Sequence, residues 1–159
     1  MDAETYASLQ ACAADALSIL KLEPSTEPKT AIEALDAFVY AWQQGARPPA
    51  ETLSADDAPL ILGSLWGELL VASFGWEWAH VIFHDHDDST APAVLSPDRS
   101  LAVYPIHFLI GCLRDPGVDA TIALAFNFMD AGKVPEVEPK EYMNLMDGVH
   151  RIVPRVASL

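Results

Sequence analysis

The chain has 159 residues, is 51% apolar, and carries a formal net charge of −14 from 23 acidic and nine basic residues. That length fits a single domain spanning 1–159, and the apolar share can fill a packed core, which excludes a disordered acidic tail. The basic residues are scattered and form no stripe that could neutralise phosphates, which excludes nucleic acid and anionic membrane as partners.

The opening "MDAETYASLQACAADALSIL" carries acids where a signal peptide would carry basic residues, and no apolar run reaches about 18 residues. The expectation is a cytoplasmic protein. Tyr6, Leu9, Ala13, Leu17 and Leu20 recur at three- and four-residue steps, which predicts a helix over Glu4–Lys21. "EPSTEP" breaks it. A second helix is predicted from Thr30 to near Gly45, with Glu33 placed for a reciprocal capping box. These N-terminal helices, 4–45, end in the proline-rich connection "GARPPAET".

Ser54 and Asp57 form a second capping-type pair before a helix that runs to about Phe74. It is apolar nearly all round, which predicts the central helix of the domain. Gly63 and Gly67 lie four residues apart and imply a close backbone approach to a neighbour. Gly75 is placed as the left-handed stop. "WEWAHVIFH", Trp76–His84, is rich in aromatic and β-branched residues and reads as a strand. "AVLS", "PDRS" and "LAVY" then read as strand, tight turn and strand, giving an antiparallel meander within 54–104. The C-terminal region, 105–152, reads as helices: one from Pro105, one over about Val118–Asp130 and a short one over about Lys140–Arg151. The order implies an α+β domain, with about three antiparallel strands and five to six helices.

"HDHDD", His84–Asp88, raises the question of a metal site. If the strand continued through both imidazoles, His84 and His86 would share a face with α-carbons about 6–7 Å apart. Two imidazoles at that spacing can share an ion, with Asp88 or Glu68 as further ligand, and the alternative reading is therefore one divalent transition metal at His84, His86 and Asp88. His80, about 13 Å from His84 on a straight strand, cannot easily join them. A calcium loop is excluded, since Thr90 and Ser96 stand where the EF-hand needs glycine and glutamate. The favoured reading is a strand end and a solvated turn whose aspartates bond within the turn, with no cofactor.

Glu68, in the central helix, is a candidate buried acid, either a general acid or base or a carboxylate bonded to backbone amides, Arg99 or Arg114. His80 and His107 sit in apolar surroundings and read as hydrogen-bonded histidines. Trp66, Trp76 and Trp78 read as core and sheet-face residues; exposed, Trp76 or Trp78 would anchor a partner. Cys12 and Cys112 lie in apolar helical patterns and read as buried hydrophobes without catalytic character. The chain has no G-x-S-x-G elbow, P-loop, dinucleotide fingerprint or C-x-x-C pair.

"LGSLWGELLVASFGWEW", a following strand, "AVLSPDRSLAVYP" and "IHFLIGCL" resemble a group of bacterial domains without an assigned activity. In those domains a helix with a Gly-x-x-x-Gly-Glu core leads into a Gly-x-x-Trp strand, and a later strand ends in proline before a helix. The matching positions are Gly63, Gly67, Glu68, Gly75, Trp78 and Pro105, within residues 60–113. The resemblance implies a small bacterial α+β domain and supplies no catalytic residues.

The functional expectation is a non-enzymatic cytosolic protein-interaction module, for which toxin-neutralising immunity proteins are a concrete type. Its contact surface is expected near Trp76, Trp78, Asp85 and Asp87. A metal-binding protein or metal-dependent enzyme is the alternative, and a homo-oligomer burying apolar surface against itself is a third reading.

Overall fold

The computed structural model describes residues 1–150. It is an α+β fold whose described residues form five α-helices and a four-stranded mixed sheet. Helix α1 covers Ala3–Ile19, and Asp2 caps it by accepting a hydrogen bond from Thr5 N at 2.8 Å. Helix α2, Pro28–Gln43, starts two residues before Thr30, because proline in the first turn sacrifices only an N–H that has no helical partner. Helix α3, Ala58–Phe74, follows a turn in which Asp57 N donates to Ser54 Oγ at 3.2 Å.

Helix α3 is the centre of the domain. Its buried residues include Leu62, Leu65, Trp66, Leu69 and Leu70, and it packs against α1, α2 and α4, the last spanning Pro105–Arg114. Gly63 makes the α3–α4 approach possible: a Cβ there would stand 2.8 Å from Ile106 Cα. Gly75 ends the helix at φ +68°, in the left-handed region that favours glycine. Helix α5, Ile122–Asp130, begins later than its hydrophobic pattern suggests, since Asp115–Val118 is tied into a turn. Gln43 joins α2 to this region, donating to the carbonyls of Cys112 at 3.0 Å and Val118 at 2.8 Å.

Strand β1, Glu77–Phe83, pairs antiparallel with β2, Ser89–Leu95, along its whole length, from Glu77 opposite Leu95 to Phe83 opposite Ser89. Strand β3, Leu101–Val103, pairs with β2 only at Val94 and Leu95. The expected meander is therefore present, but a fourth strand, β4 at Met143–Asn144, adds parallel to β3. It replaces the helix expected over Lys140–Arg151, followed by a 3-10 turn at Leu145–Gly148; Arg151 lies outside the described residues. The reason is a long-range hydrogen-bond ladder. Lys140 N donates to Asp98 O, Tyr142 N to Arg99 O and Met143 N to Ser100 O, at 3.1, 3.0 and 2.9 Å. Lys140 and Tyr142 take φ values of +65° and +50°, which a right-handed helix does not allow.

Candidate functional site

The two faces of the sheet have different fates. Trp78, Val94, Leu101 and Val103 join the main core under the helices. The opposite face carries a separate small apolar cluster of Ala93, Leu95 and Ala102, with Ala79, Val81 and Tyr104 partly buried against it. Among the described residues, none from within a helix belongs to that second cluster. Side-chain alternation explains the division: Ala79 lies opposite Ala93 and Val81 opposite Ala91, so both pairs point away from α3.

This outer face forms a groove of about 860 Å3. Val81, Phe83, Leu95, Tyr104 and Tyr142 line it, with His84, Asp85 and His86 of the hairpin tip, and it reaches the edge of β1 at His80 and Ile82. The Phe83 and Tyr104 rings meet at a tilt of 39°, with centroids 5.8 Å apart. Burial and the nearby Asp147 push the Tyr104 phenol above its usual range, so it stays protonated as a neutral hydroxyl.

Among the described residues Arg99 is the only arginine or lysine lining the groove, and its guanidinium is paired with Glu77. The β2–β3 turn holds it there. Arg99 N donates to Ser96 O at 2.9 Å, Ser100 N to Asp98 Oδ1 at 2.9 Å and Leu101 N to Ser96 Oγ at 2.9 Å. Asp98 accepts from both serines, which holds its carboxyl below the usual range.

The distal half of the β1–β2 hairpin extends past the helix layer. Trp78 is buried, yet His80 and Ile82, on the same side of β1, are exposed, Ile82 at 51%. At the tip the strand stops at Phe83, and His84–His86 form a 3-10 turn. Asp87 and Asp88 follow with φ +55° and +53°, a backbone that aspartate tolerates well. The turn removes the basis for placing His84 and His86 on one strand face. His84 Nδ1 instead meets Asp88 Oδ1 at 2.7 Å, with both side chains in solvent. Among the described residues no three His, Cys, Asp or Glu side chains are grouped so as to hold an ion.

Trp76 and Trp78 are 8% and 6% exposed and are not surface anchors. Trp78 lies against the α3 backbone, where a Cβ on Gly67 would come within 1.8 Å of its ring. Its indole Nε1 donates to Glu68 Oε1 at 3.0 Å. Glu68 is thus half-buried with an indole partner in place of an arginine, and burial raises its carboxyl above the usual value. Asp85 and Asp87 are exposed at the hairpin tip, and Asp85 lines the groove. His107 is exposed on α4. Cys112 is buried, and its thiol is pushed up to about 12, while Cys12, half-buried, is also raised; neither is an activated nucleophile.

The groove residues Val81, Phe83, Leu95 and Tyr104 do not stand out in the sequence. The one signal for them is "VIF", which puts apolar side chains on both sides of one strand when α3 can cover only one. No helix among the described residues is long and apolar enough to cross a membrane. No family model, no curated protein and no solved structure matches the chain.

Proposed function

We propose that this protein is a non-enzymatic, cytoplasmic protein-interaction module whose contact surface is the outer face of its sheet and the hairpin tip. One observation carries the reading: a sheet face of apolar and aromatic side chains that no helix among the described residues covers, on a hairpin that extends beyond its own core. Two-stranded ribbons are marginal alone in water, and apolar residues on both sides gain most when a partner covers them. The strong negative charge keeps the free chain soluble and speeds encounter with a basic partner. Asp85 and Asp87 keep the role expected of them, while Val81, Phe83 and Tyr104 take the place of Trp76 and Trp78.

The test is site-specific photo-crosslinking in the host, with the probe at Phe83 on the groove and, as control, at exposed Glu33 on α2. One discrete host protein should crosslink from Phe83 only, and Val81→Glu should abolish the adduct while the chain still unfolds in one cooperative transition, lowered by a few degrees at most. Equal crosslinking from both positions, or substrate turnover by the purified chain alone, sinks the reading.

The His84–Asp88 bond favours a second reading, a metal-binding site at the tip. A carboxylate on Nδ1 is the usual support for an imidazole that binds metal through Nε2. Native mass spectrometry of protein purified without chelators should then show one added ion per chain, lost in His84→Ala. A bare mass ends that reading.

A further inference from the structure

Resting on that interaction reading, we propose that the partner supplies a basic extended segment that adds as a fifth strand along the free edge of β1. The sheet order makes β1 an outer strand, and among the described residues only β2 pairs with it. Natural proteins guard such edges with lysine, proline, bulges or short length, because unpaired N–H and C=O groups recruit other strands. β1 is seven residues long, and its stretch Trp78–Phe83 contains no Asp, Glu, Lys, Arg, proline or glycine.

The neighbouring strand shows the contrast. Among the described residues β2 is also unpaired on its far side over Ser89–Ala93, where β3 does not reach, and there it carries Pro92 and polar Ser89 and Thr90. The same hairpin therefore guards one edge and leaves the other open.

The charges around the open edge select the occupant. Asp85, Asp87 and Asp88 crowd the end of β1, while Glu77 at its start is already paired with Arg99. A segment with lysines or arginines meeting the tip is attracted. Parallel pairing of two copies of β1 would bring their acidic tips together, which disfavours that arrangement. A strand laid on this edge would send alternate side chains over the groove beside Val81 and Phe83, so β-branched or other apolar residues at every second position fit.

The experiment uses the full chain and a labelled nine-residue peptide of alternating valine and threonine with lysines at both ends, read by fluorescence anisotropy. Saturable binding is expected, about tenfold or more tighter than for the same peptide with glutamates at the ends. Methylating one alternate set of peptide nitrogens should abolish binding, methylating the other set should not, and amide exchange over 79–83 should slow. The Asp85→Asn, Asp87→Asn, Asp88→Asn combination, all at exposed positions, should weaken binding about tenfold and flatten its salt dependence. Equal binding of the glutamate peptide, indifference to both methylations, or no binding overturns the proposal. So does a concentration-dependent dimer that the peptide fails to dissociate. If the Phe83 crosslink to a host protein persists while the peptide fails, the interaction reading stands and the basic strand falls.

Discussion

One strand belongs to two environments. On the inner side of β1, Trp78 is wedged against Gly67 with its indole nitrogen satisfied by Glu68. On the outer side, further along the same strand, Val81 and Phe83 look into an open groove. At Trp78 the inner face packs directly on the α3 backbone; the outer face has the same apolar chemistry and leaves about 860 Å3. The difference teaches that apolar content alone does not mark a core. What marks it is whether another element packs over the same surface.

The largest way to break the comparison is to crowd the inner face. In Gly67→Ala the new methyl would overlap the Trp78 ring, with its nearest atoms at 1.8, 2.4 and 2.7 Å. The wedge must shift with β1, and a loss of about 3 kcal/mol is expected in urea denaturation. A loss below about 1 kcal/mol would show that the indole relocates freely and that the inner face is not close-packed there.

The next test makes one chemical change on each face. Val94 is fully buried under the helices, and Val94→Ala should cost about 2 kcal/mol. Val81 is half-buried on the outer face, and Val81→Ala should cost about 0.5 kcal/mol while weakening the anisotropy signal of the lysine peptide. Equal stability losses would mean that the outer face contributes to folding no less than the inner one.

How much of this is legible in the residues follows the range of the interactions. The α+β class, the central helix, the close approaches at Gly63 and Gly67 and the stop at Gly75 depend on local periodicity and on the missing Cβ, so the residues announce them. β4 depends on carbonyls at Asp98, Arg99 and Ser100 catching a segment some forty residues later, which no local pattern encodes. The tip is hard to read for a related reason: whether a strand continues through His84 depends on where the hairpin turns. Glu68 is recognisable as an acid in a buried helix, but its partner comes from the strand ten residues on, because the glycine that admits Trp78 also brings the indole N–H to the carboxylate.

A smaller effect contrasts wedged glycines with an open one. Gly111, inside α4, has no atom of the described residues outside its own helix backbone within 4 Å of the position a Cβ would take. Gly111→Ala should therefore raise stability by up to about 1 kcal/mol through helix propensity alone, the opposite sign to Gly67→Ala. A loss would show that the α4 surface packs against more than the described residues present.

The smallest expected effect is a change of slope, and it concerns the group that fastens β1 to α3. Burial raises the folded-state pKa of Glu68 above its ordinary 4.5, against the opposing hydrogen bonds from Trp78 and Gln10. A raised carboxyl holds its proton more tightly in the folded chain than in the unfolded one. Its contribution to stability is fully present below about 4.5 and is lost as pH rises through the raised value, beyond which the folded chain carries the half-buried carboxylate. Glu68→Gln has no proton to lose, so its stability relative to the parent should increase across that window and then level off. The measurement is urea denaturation of both chains from pH 4 upward. Parallel curves would mean that the Trp78 hydrogen bond favours the carboxylate enough to cancel burial. The inner face would then hold a stabilised charge where burial alone would favour a neutral acid, and Trp78→Phe, which removes the indole donor, should restore the slope.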